Sequence, residues 1–380
     1  MRFLHTADWQ LGMTRHFLTD DDQSRFSQAR IDAIRTMARV ATEQQCAFVV
    51  VAGDVFETNQ PDRRTIGRAL DALGAFTVPV YLLPGNHDTH DPGSVYRTRA
   101  FLDGCPTHVE VLTDATPREP IPGVEVVGAT WTSKRPVVDL TAACCAALPA
   151  DGAMRVVVGH GGADVISGDF AQPGTIRIAD VEEALAEGRA RFVALGDRHS
   201  TTPVGTTGRI WYAGAPEPTS YREDAAGNVL VVDLDDDDPQ ATPAVTPVAV
   251  GTWRFVELRR PVDTTDDVEA LLADLDALPD RERTIVKLKV DGTLSLTAAA
   301  QLERGLESRA AVFGALEHPE RHTDIVIAPT ADDLDALELR GYAATAMQRL
   351  RDQAEAGTDG AAAATDALAL LVRFSRETAR

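Results

Sequence analysis

Five short polar motifs, each following a run of β-type apolar residues, constrain the fold of this chain more than any other feature. They are Asp8-Trp9-Gln10, Gly53-Asp54, Gly85-Asn86-His87-Asp88, Gly159-His160 and Gly196-Asp197-Arg198-His199. A polar residue at the carboxyl end of a buried strand has no packing role, and in open α/β sheets such strand ends meet at the ligand-binding crevice. The motifs are rich in Asp, Asn, Gln and His and contain no Ser or Cys nucleophile, which indicates a metal site.

The order of strand-like and helical stretches predicts an α/β chain with more than one domain. Strands and helices alternate up to about residue 200, and 380 residues exceed the usual size of one hydrophobic core. We predict a first domain over residues 1–245, a small βαβαβ domain over 246–330 and a helical segment over 331–380. That helical segment could dock on its own protein or on a partner.

The chain is strongly acidic, with 37 Lys and Arg residues against 58 Asp and Glu residues and a net charge of −21. Neutralisation of phosphates supplies most of the non-specific affinity of proteins for nucleic acids. A nucleic-acid substrate would therefore need divalent cations, a local basic strip or a partner. Lys287 and Lys289 alternate with apolar residues on a predicted strand, and they could form such a strip or a solvated outer face.

The apolar runs and the cysteines indicate where the protein works. No apolar run approaches the roughly 20 residues of a membrane span, so we expect no membrane contact and a cytoplasmic location. The four cysteines form neither a CxxC pair nor a disulfide-like framework. We expect them to be reduced.

Asp54 is the residue best suited to bridge two metal ions. A hydrolase that uses two divalent cations holds them about 3.5–4 Å apart. The ligand between them must reach both ions, which a carboxylate does and an imidazole does not. The preceding Gly53 lets the backbone approach the site closely. The sequence therefore predicts Asp54 at the centre of a two-metal site.

Two pairs of polar residues are candidates to hold one ion each. Asp8 and Gln10 are separated by one residue, so in an extended backbone both side chains face the same way. Asp197 and His199 repeat that spacing. Each pair can bind a single ion through both of its side chains.

Three further motif residues are candidates for the same site. Asn86 offers a neutral carbonyl oxygen, and His160 follows the apolar run 156–158. His87 projects in a different direction from Asn86, because adjacent side chains diverge. That direction suits a separate task above the metals.

The order and context of the five motifs resemble those of the calcineurin-like metallophosphoesterase superfamily, written DxH, GD, GNH[DE], GH and GHxH. Residues 3–12, 53–56 and 83–88 also resemble the first three motifs of the SbcD and Mre11 DNA-repair nucleases. The resemblance covers residues 1 to about 235 and is looser over 250–328, where those nucleases carry a capping domain. It implies a four-layer αββα sandwich with a small α/β capping domain and C-terminal helices.

The resemblance also implies a role for each motif residue. The implied ligands of the first ion are Asp8, Gln10, Asp54 and His199, and those of the second are Asp54, Asn86, His160 and Asp197. His87 matches the catalytic histidine, and Asp88 would orient its imidazole through a hydrogen bond. Gln10 and Asp197 stand where the family has His, and these harder ligands favour Mn²⁺ or Mg²⁺ over softer metals.

The resemblance implies a DNA exonuclease and endonuclease that uses two divalent ions, with Mn²⁺ the first expectation and Mg²⁺ an alternative. Its partner would be a Rad50/SbcC-type ATPase, and a homodimer is left open. Two other functions also remain open. A phosphodiesterase or phosphatase acting on nucleotides or phosphoproteins is favoured by the acidity of the chain. A non-catalytic scaffold for an ATPase is supported only by Gln10 and Asp197.

Overall fold

A computed structural model describes residues 1–167, 174–238, 241–317, 323–328, 341–356 and part of 360–371. The chain forms two compact units, Met1–Trp253 and Arg254–Arg380. The domain boundary predicted at residue 245 falls inside the strand Ala244–Ala249, which pairs with Asn228–Asp233 and so completes a sheet of the first unit. The helical segment predicted from residue 331 belongs to the second unit.

The first sheet of the larger unit has six strands, with four parallel strands in sequence and two antiparallel strands on one side. In sheet order these are β12 (Ala244–Ala249), β11 (Asn228–Asp233), β1 (Arg2–Thr6), β2 (Val49–Val51), β3 (Val80–Leu82) and β4 (Val109–Val111). The strands β2 and β3 are buried along their whole length, as is typical of parallel strands covered on both faces.

The second sheet also has six strands, with a parallel centre and an antiparallel strand at each edge. In sheet order these are β5 (Arg118–Ile121), β6 (Val124–Gly128), β7 (Met154–His160), β8 (Phe192–Gly196), β10 (Ile210–Tyr212) and β9 (Thr202–Val204).

The two sheets pack face to face between two layers of helices. The ring of Phe3 on the first sheet stacks on Phe48 at 5.0 Å and meets the edge of Phe192 on the second sheet at 5.6 Å. The first sheet is covered by α1 (Asp20–Glu43) and α2 (Arg63–Leu73), and the second by α4 (Leu140–Ala147) and α6 (Ile178–Ala186). The unit also contains the short helices α3 (Arg99–Leu102) and α5 (Asp164–Ser167) and a 3₁₀ turn at Val95–Arg97. The predicted four-layer αββα sandwich is confirmed.

The start of α1 shows how the sequence sets an element. Thr19 caps the helix by accepting a hydrogen bond from the main chain of Asp22 at 3.2 Å. Three aspartates in the first turn favour the positive end of the helix dipole. The apolar periodicity alone predicts a start near Ser24, because the cap and the acidic turn carry no apolar residue.

The second unit has a parallel sheet and, among its described residues, three helices of 12 to 15 residues. Its elements are β13 (Arg254–Pro261), α7 (Thr265–Asp276), a 3₁₀ turn (Arg281–Arg283), β14 (Thr284–Leu294), α8 (Leu296–Ala310), β15 (Ala315–Glu317), β16 (Thr323–Ile327) and α9 (Tyr342–Glu355). Strands β13, β15 and β16 all pair with β14. Leu368 is buried against Leu296 and Met347, so this part of the C-terminal segment packs on its own chain. Within the described ranges, each helix is too short or too polar to cross a membrane.

Candidate metal centre

The five motifs meet at the carboxyl ends of strands from both sheets. The first three follow β1, β2 and β3 of the first sheet, and the last two begin with the final residues of β7 and β8 of the second sheet. His160 at the end of β7 reaches across to the first sheet, where its Nδ1 lies 2.8 Å from the carbonyl oxygen of Ala52. The site therefore lies where the strand ends of the two sheets converge.

The backbone of the motifs adopts the left-handed region at four non-glycine residues. The φ angles are 55° at Asp8, 50° at Gln10, 55° at Asp54 and 95° at Asp197. Such residues are uncommon, and each costs about 1–3 kcal/mol. The extended conformation predicted for residues 8–10 is wrong, because β1 ends at Thr6. The turn is held by main-chain hydrogen bonds from Asp8 to Gly53 and from Gln10 to Asp54, each 3.0 Å long.

A buried cluster of acidic and imidazole groups forms the centre of the site. Ligand atoms of Asp8, Asp54 and His160 lie within 4.8 Å of one another, and each residue is at most 2% exposed. The Nε2 atom of His160 lies 3.0 Å from Asn86 Oδ1, 3.5 Å from Asp54 Oδ1 and 3.8 Å from Asp197 Oδ1. Three predicted ligands therefore surround this nitrogen of His160, and Asp8 lies in the same cluster.

Gly53 and Gly85 allow this close approach. A Cβ at residue 53 would lie 2.2 Å from His160 Nδ1, and one at residue 85 would lie 2.2 Å from Asp54 Oδ1. Gly53 also has a φ of 93°, which side chains rarely adopt. Glycine at both positions is a requirement of the site geometry.

Gln10 carries an unsatisfied oxygen that fits a metal ligand. Its amide nitrogen donates a hydrogen bond to Asp54 Oδ2 at 3.1 Å, and the residue is 1% exposed. Its Oε1 atom is buried and has no hydrogen-bond partner in the described part of the chain. Since buried polar atoms are rarely left unpaired, this oxygen is free to serve as a ligand for a cation beside Asp54.

The pKa values of the cluster show that it attracts positive charge. Burial raises the pKa of Asp8 to about 7, although the imidazoles of His199 and His160 oppose the rise. Burial alone would lower the pKa of His160, but the carboxylates of Asp54, Asp197 and Asp8 raise it to about 9. Without a cation the cluster therefore binds protons. A set of carboxylate, amide and imidazole donors suits divalent metal ions.

His199 is held by residues outside the motifs. Its Nδ1 atom lies 3.0 Å from Glu223 Oε1 and 2.7 Å from Thr219 Oγ1. Burial would lower the pKa of His199, but the hydrogen bond to Glu223 and the charge of Asp8 raise it to about 9. Sequence reasoning missed Glu223 and Thr219, because they lie in a loop between β10 and β11 with no motif to mark them.

His87 is oriented by a main-chain carbonyl. Its main-chain nitrogen donates to Asp54 Oδ1 at 3.0 Å, and its Nδ1 donates to the carbonyl oxygen of Glu57 at 2.8 Å. The hydrogen bond predicted from Asp88 to the His87 imidazole is wrong. The reason is that Asp88 is fully buried and turns its carboxylate into the protein interior.

The Asp88 carboxylate instead holds the loop that carries Asn86 and His87. It accepts hydrogen bonds from the main-chain nitrogens of Gly85 at 2.7 Å and Phe56 at 3.1 Å. It also accepts one from the hydroxyl of Tyr96 at 2.5 Å. Burial and then the charge of Asp54 raise the pKa of Asp88 to about 6. Asp88 therefore shapes the third motif.

Comparison with known protein families identifies the chain. The family model of the calcineurin-like phosphoesterases matches residues 1–223, which include the whole αββα site. The chain belongs to the calcineurin-like phosphoesterase family. Members of this family are metal-dependent phosphoesterases, so the chain is an enzyme of that class.

Curated relatives of this calcineurin-like phosphoesterase include named nucleases. The DNA double-strand break repair protein Mre11 of Archaeoglobus fulgidus is 35% identical over 23% of this chain and 19% of its own length. The SbcD component of the SbcCD nuclease of Bacillus subtilis is 32% identical over 29% of this chain and 30% of its own length. The SbcD component of Rhodobacter capsulatus is 27% identical over 81% of this chain and 85% of its own length. The first two matches thus span less than a third of each relative.

Proposed function

We propose that this calcineurin-like phosphoesterase hydrolyses phosphodiester bonds in DNA with two divalent cations, Mn²⁺ first and Mg²⁺ second. The buried cluster of Asp8, Asp54 and His160, beside the unpaired Oε1 of Gln10, is the observation that carries the proposal. The choice of a nuclease rests on the Rhodobacter capsulatus relative, a named nuclease component that aligns with 81% of the chain. The choice of DNA rests on the Archaeoglobus fulgidus relative, which is named a DNA double-strand break repair protein.

Two ligand sets share Asp54 in this proposal. Asp8, Gln10 and His199 complete the first set, and Asn86, His160 and Asp197 complete the second. Two cations held by these residues would supply an activated water and positive charge for the phosphate oxygens. The described contacts favour a shared Asp54, since its two carboxylate oxygens face different groups: Oδ2 meets Gln10 and Oδ1 lies near His160.

His87 is the group that we assign to the departing oxygen. The Glu57 carbonyl can only accept a hydrogen bond, so it fixes a proton on His87 Nδ1. The Nε2 atom is then the position that can gain a second proton and release it to the leaving group. The main-chain nitrogen of His87 donates a hydrogen bond to the carboxylate of Asp54. This bond holds the imidazole beside Asp54, the ligand that the two sets share.

The acidity of the chain supports the proposal of a partner ATPase of the Rad50/SbcC type. With a net charge of −21, the chain needs a positive surface from elsewhere to hold DNA. The predicted strip on β14 does not supply it fully, because Lys289 Nζ is paired with Glu257 at 2.6 Å. A partner together with the bound cations would offset the electrostatic repulsion between the acidic chain and the DNA phosphates. The homodimer and the cytoplasmic location remain predictions.

Hydrolysis assays with linear duplex DNA, single-stranded DNA, a chromogenic phosphodiester and nucleotides test the proposal. The purified chain with Mn²⁺ should degrade linear duplex DNA and single-stranded DNA, should cleave a chromogenic phosphodiester, and should lose these activities in a chelator. If the chain cleaves the chromogenic diester and nucleotides but not DNA, the phosphodiesterase hypothesis would replace the nuclease hypothesis. Binding of Mn²⁺ without hydrolysis of any substrate would contradict both.

A histidine variant separates catalysis from metal binding. His87→Ala should retain Mn²⁺ binding but lose about 100-fold or more in rate, which is the usual contribution of general acid–base catalysis. His108→Ala is the matched control, since His108 bonds the carbonyl oxygen of Leu73 away from the site. An active His87→Ala enzyme would remove His87 from the mechanism.

A further inference from the structure

We propose that Glu223 is a positioning residue that makes His199 a stronger and correctly oriented metal ligand. The inference rests on the proposed function, because it assigns a role within the first ligand set. It concerns a residue outside the five motifs, in the loop between β10 and β11. Glu223 would act only through His199.

The contacts of Glu223 converge on His199. Its Oε1 atom lies 3.0 Å from His199 Nδ1 and accepts a hydrogen bond from Ser220 Oγ at 3.2 Å. Its Oε2 atom accepts a hydrogen bond from the main chain of Thr219 at 2.8 Å, and the hydroxyl of Thr219 also donates to Oε1. The side chain of Glu223 is only 6% exposed. Each carboxylate oxygen therefore has a protein partner, which fixes its position.

The segment beneath Glu223 is itself fixed. The buried guanidinium of Arg30 donates to the carbonyl oxygens of Glu217 at 3.1 Å and Pro218 at 2.9 Å. Arg15 donates to the carbonyl oxygen of Thr219 at 2.7 Å. Because these bonds anchor the main chain of the loop, the carboxylate of Glu223 approaches His199 from a set direction.

The partner of His199 differs from those of the other two imidazoles in the site. His160 and His87 each direct Nδ1 to a main-chain carbonyl, of Ala52 and Glu57. His199 directs Nδ1 to the Glu223 carboxylate and to the hydroxyl of Thr219, which itself donates to that carboxylate. A carboxylate partner fixes the Nδ1–H tautomer and increases the basicity of Nε2, which strengthens that nitrogen as a metal ligand.

Gln10 explains why this extra charge is useful in the first ligand set. The family pattern has an imidazole at this position, whereas Gln10 offers a neutral amide oxygen, which donates less charge to a cation. The negative charge of Glu223, passed through His199, compensates for that loss.

Calorimetric titration of the full chain with Mn²⁺ tests the inference. In Glu223→Gln we expect one of the two Mn²⁺ dissociation constants to rise about 10- to 100-fold, the usual effect of losing such a partner, while the other stays unchanged. Glu182→Gln is the matched control, because Glu182 also accepts hydrogen bonds from the main chain and hydroxyl of a threonine, Thr206, but is hydrogen-bonded to no histidine among the described residues. A purely structural role would weaken both ions together and lower the melting temperature, and this result would overturn the inference.

A second measurement needs no variant at Glu223. In the Mg²⁺-loaded wild-type protein, nitrogen NMR should show His199 as the Nδ1–H tautomer, with its signal identified by its loss in His199→Asn. An Nε2–H tautomer would overturn the inference.

If the wild-type chain binds no pair of Mn²⁺ ions, the proposed function fails. If it binds two ions and Glu223→Gln binds them equally well, only the role of Glu223 fails.

Discussion

Gly53 lies where the backbone of one motif touches the imidazole of another. We expect Gly53→Ala to abolish measurable Mn²⁺ binding and to lower the free energy of unfolding by more than about 1–3 kcal/mol. The alanine would have to adopt an unfavourable φ, and its methyl carbon would lie 2.2 Å from His160 Nδ1. Calorimetry and denaturant unfolding measure the two effects.

Gly67→Ala is the matched control for that substitution. Gly67 lies in α2, where a methyl group would have no other atom within 4 Å, and alanine favours a helix over glycine by about 1 kcal/mol. We expect this variant to be slightly more stable and to bind Mn²⁺ normally. Equal effects of the two substitutions would show that the tight packing at Gly53 is unimportant.

Single residues also show what the sequence could predict and what it could not. Asp54 and His160 could be predicted, because each follows a buried strand and strand ends converge whatever the loops do. The left-handed backbone of Asp8 and Gln10 could not, since it depends on hydrogen bonds to residues 53 and 54. The role of Asp88 could not either, because its direction is set by Tyr96 and Phe56, which carry no motif.

Among the elements, the loop between β10 and β11 links the site to the end of the first unit. Glu217 is fully buried, and its carboxylate accepts hydrogen bonds from the main chains of Thr252 at 2.8 Å and Trp253 at 3.0 Å. It also accepts one from the Thr252 hydroxyl at 2.9 Å. The periodic pattern of the sequence gives no sign of this connection, because it joins two loops.

We expect Glu217→Gln to lower the free energy of unfolding by about 1–3 kcal/mol. The amide group replaces one acceptor oxygen by a donor, so one buried main-chain N–H loses its partner. Denaturant unfolding measures the change. Glu43→Gln is the control, since Glu43 is 62% exposed, and a surface substitution of this kind usually changes stability by less than about 0.5 kcal/mol. Equal stability of the two variants would contradict the role of Glu217.

At the scale of the whole molecule, the charge of the metal centre makes stability depend on pH. The pKa of Asp8 rises from 3.8 to about 7, and those of His160 and His199 rise from 6.5 to about 9. A group whose pKa is raised by folding stabilises the fold at pH values below its pKa in the unfolded chain. That stabilisation is lost as the pH rises through its pKa in the folded protein. Because burial lowers the pKa of His5 to about 3 and so acts in the opposite sense up to about pH 6.5, the metal-free protein should become less stable as the pH rises from about 6.5 to about 9.

Bound Mn²⁺ replaces those protons, so its stabilising effect should increase over the same range. We expect the rise in melting temperature on adding Mn²⁺ to be larger near pH 9 than near pH 6.5, because at the lower pH the cation must displace protons from both imidazoles. Scanning calorimetry with Mn²⁺ or a chelator measures the difference. His199→Asn should reduce it, and an equal metal effect at both pH values would contradict the linkage.

The division of the molecule into two units predicts where it can be cut. The three core clusters of the first unit contain buried residues no later than Val250. The proposed ligands, His87 and Glu223 all precede β12. The ring of Trp253 packs against Phe26 at 5.1 Å, and Glu217 bonds its main chain. The last residues that the first unit needs are therefore Thr252 and Trp253, whereas the sequence pattern placed the boundary at 245.

We expect residues 1–253 to fold alone, bind Mn²⁺ with the affinity of the full chain and cleave a chromogenic phosphodiester. Residues 1–245 should be less stable by at least about 3–5 kcal/mol, the usual loss when a buried Trp is removed, because Phe26 and the Glu217 carboxylate would lose their partners and β11 would lose its pairing with residues 246–249. Denaturant unfolding of the two fragments measures the difference. Equal stability would place the boundary at residue 245, and failure of 1–253 to fold would show that the first unit depends on the second.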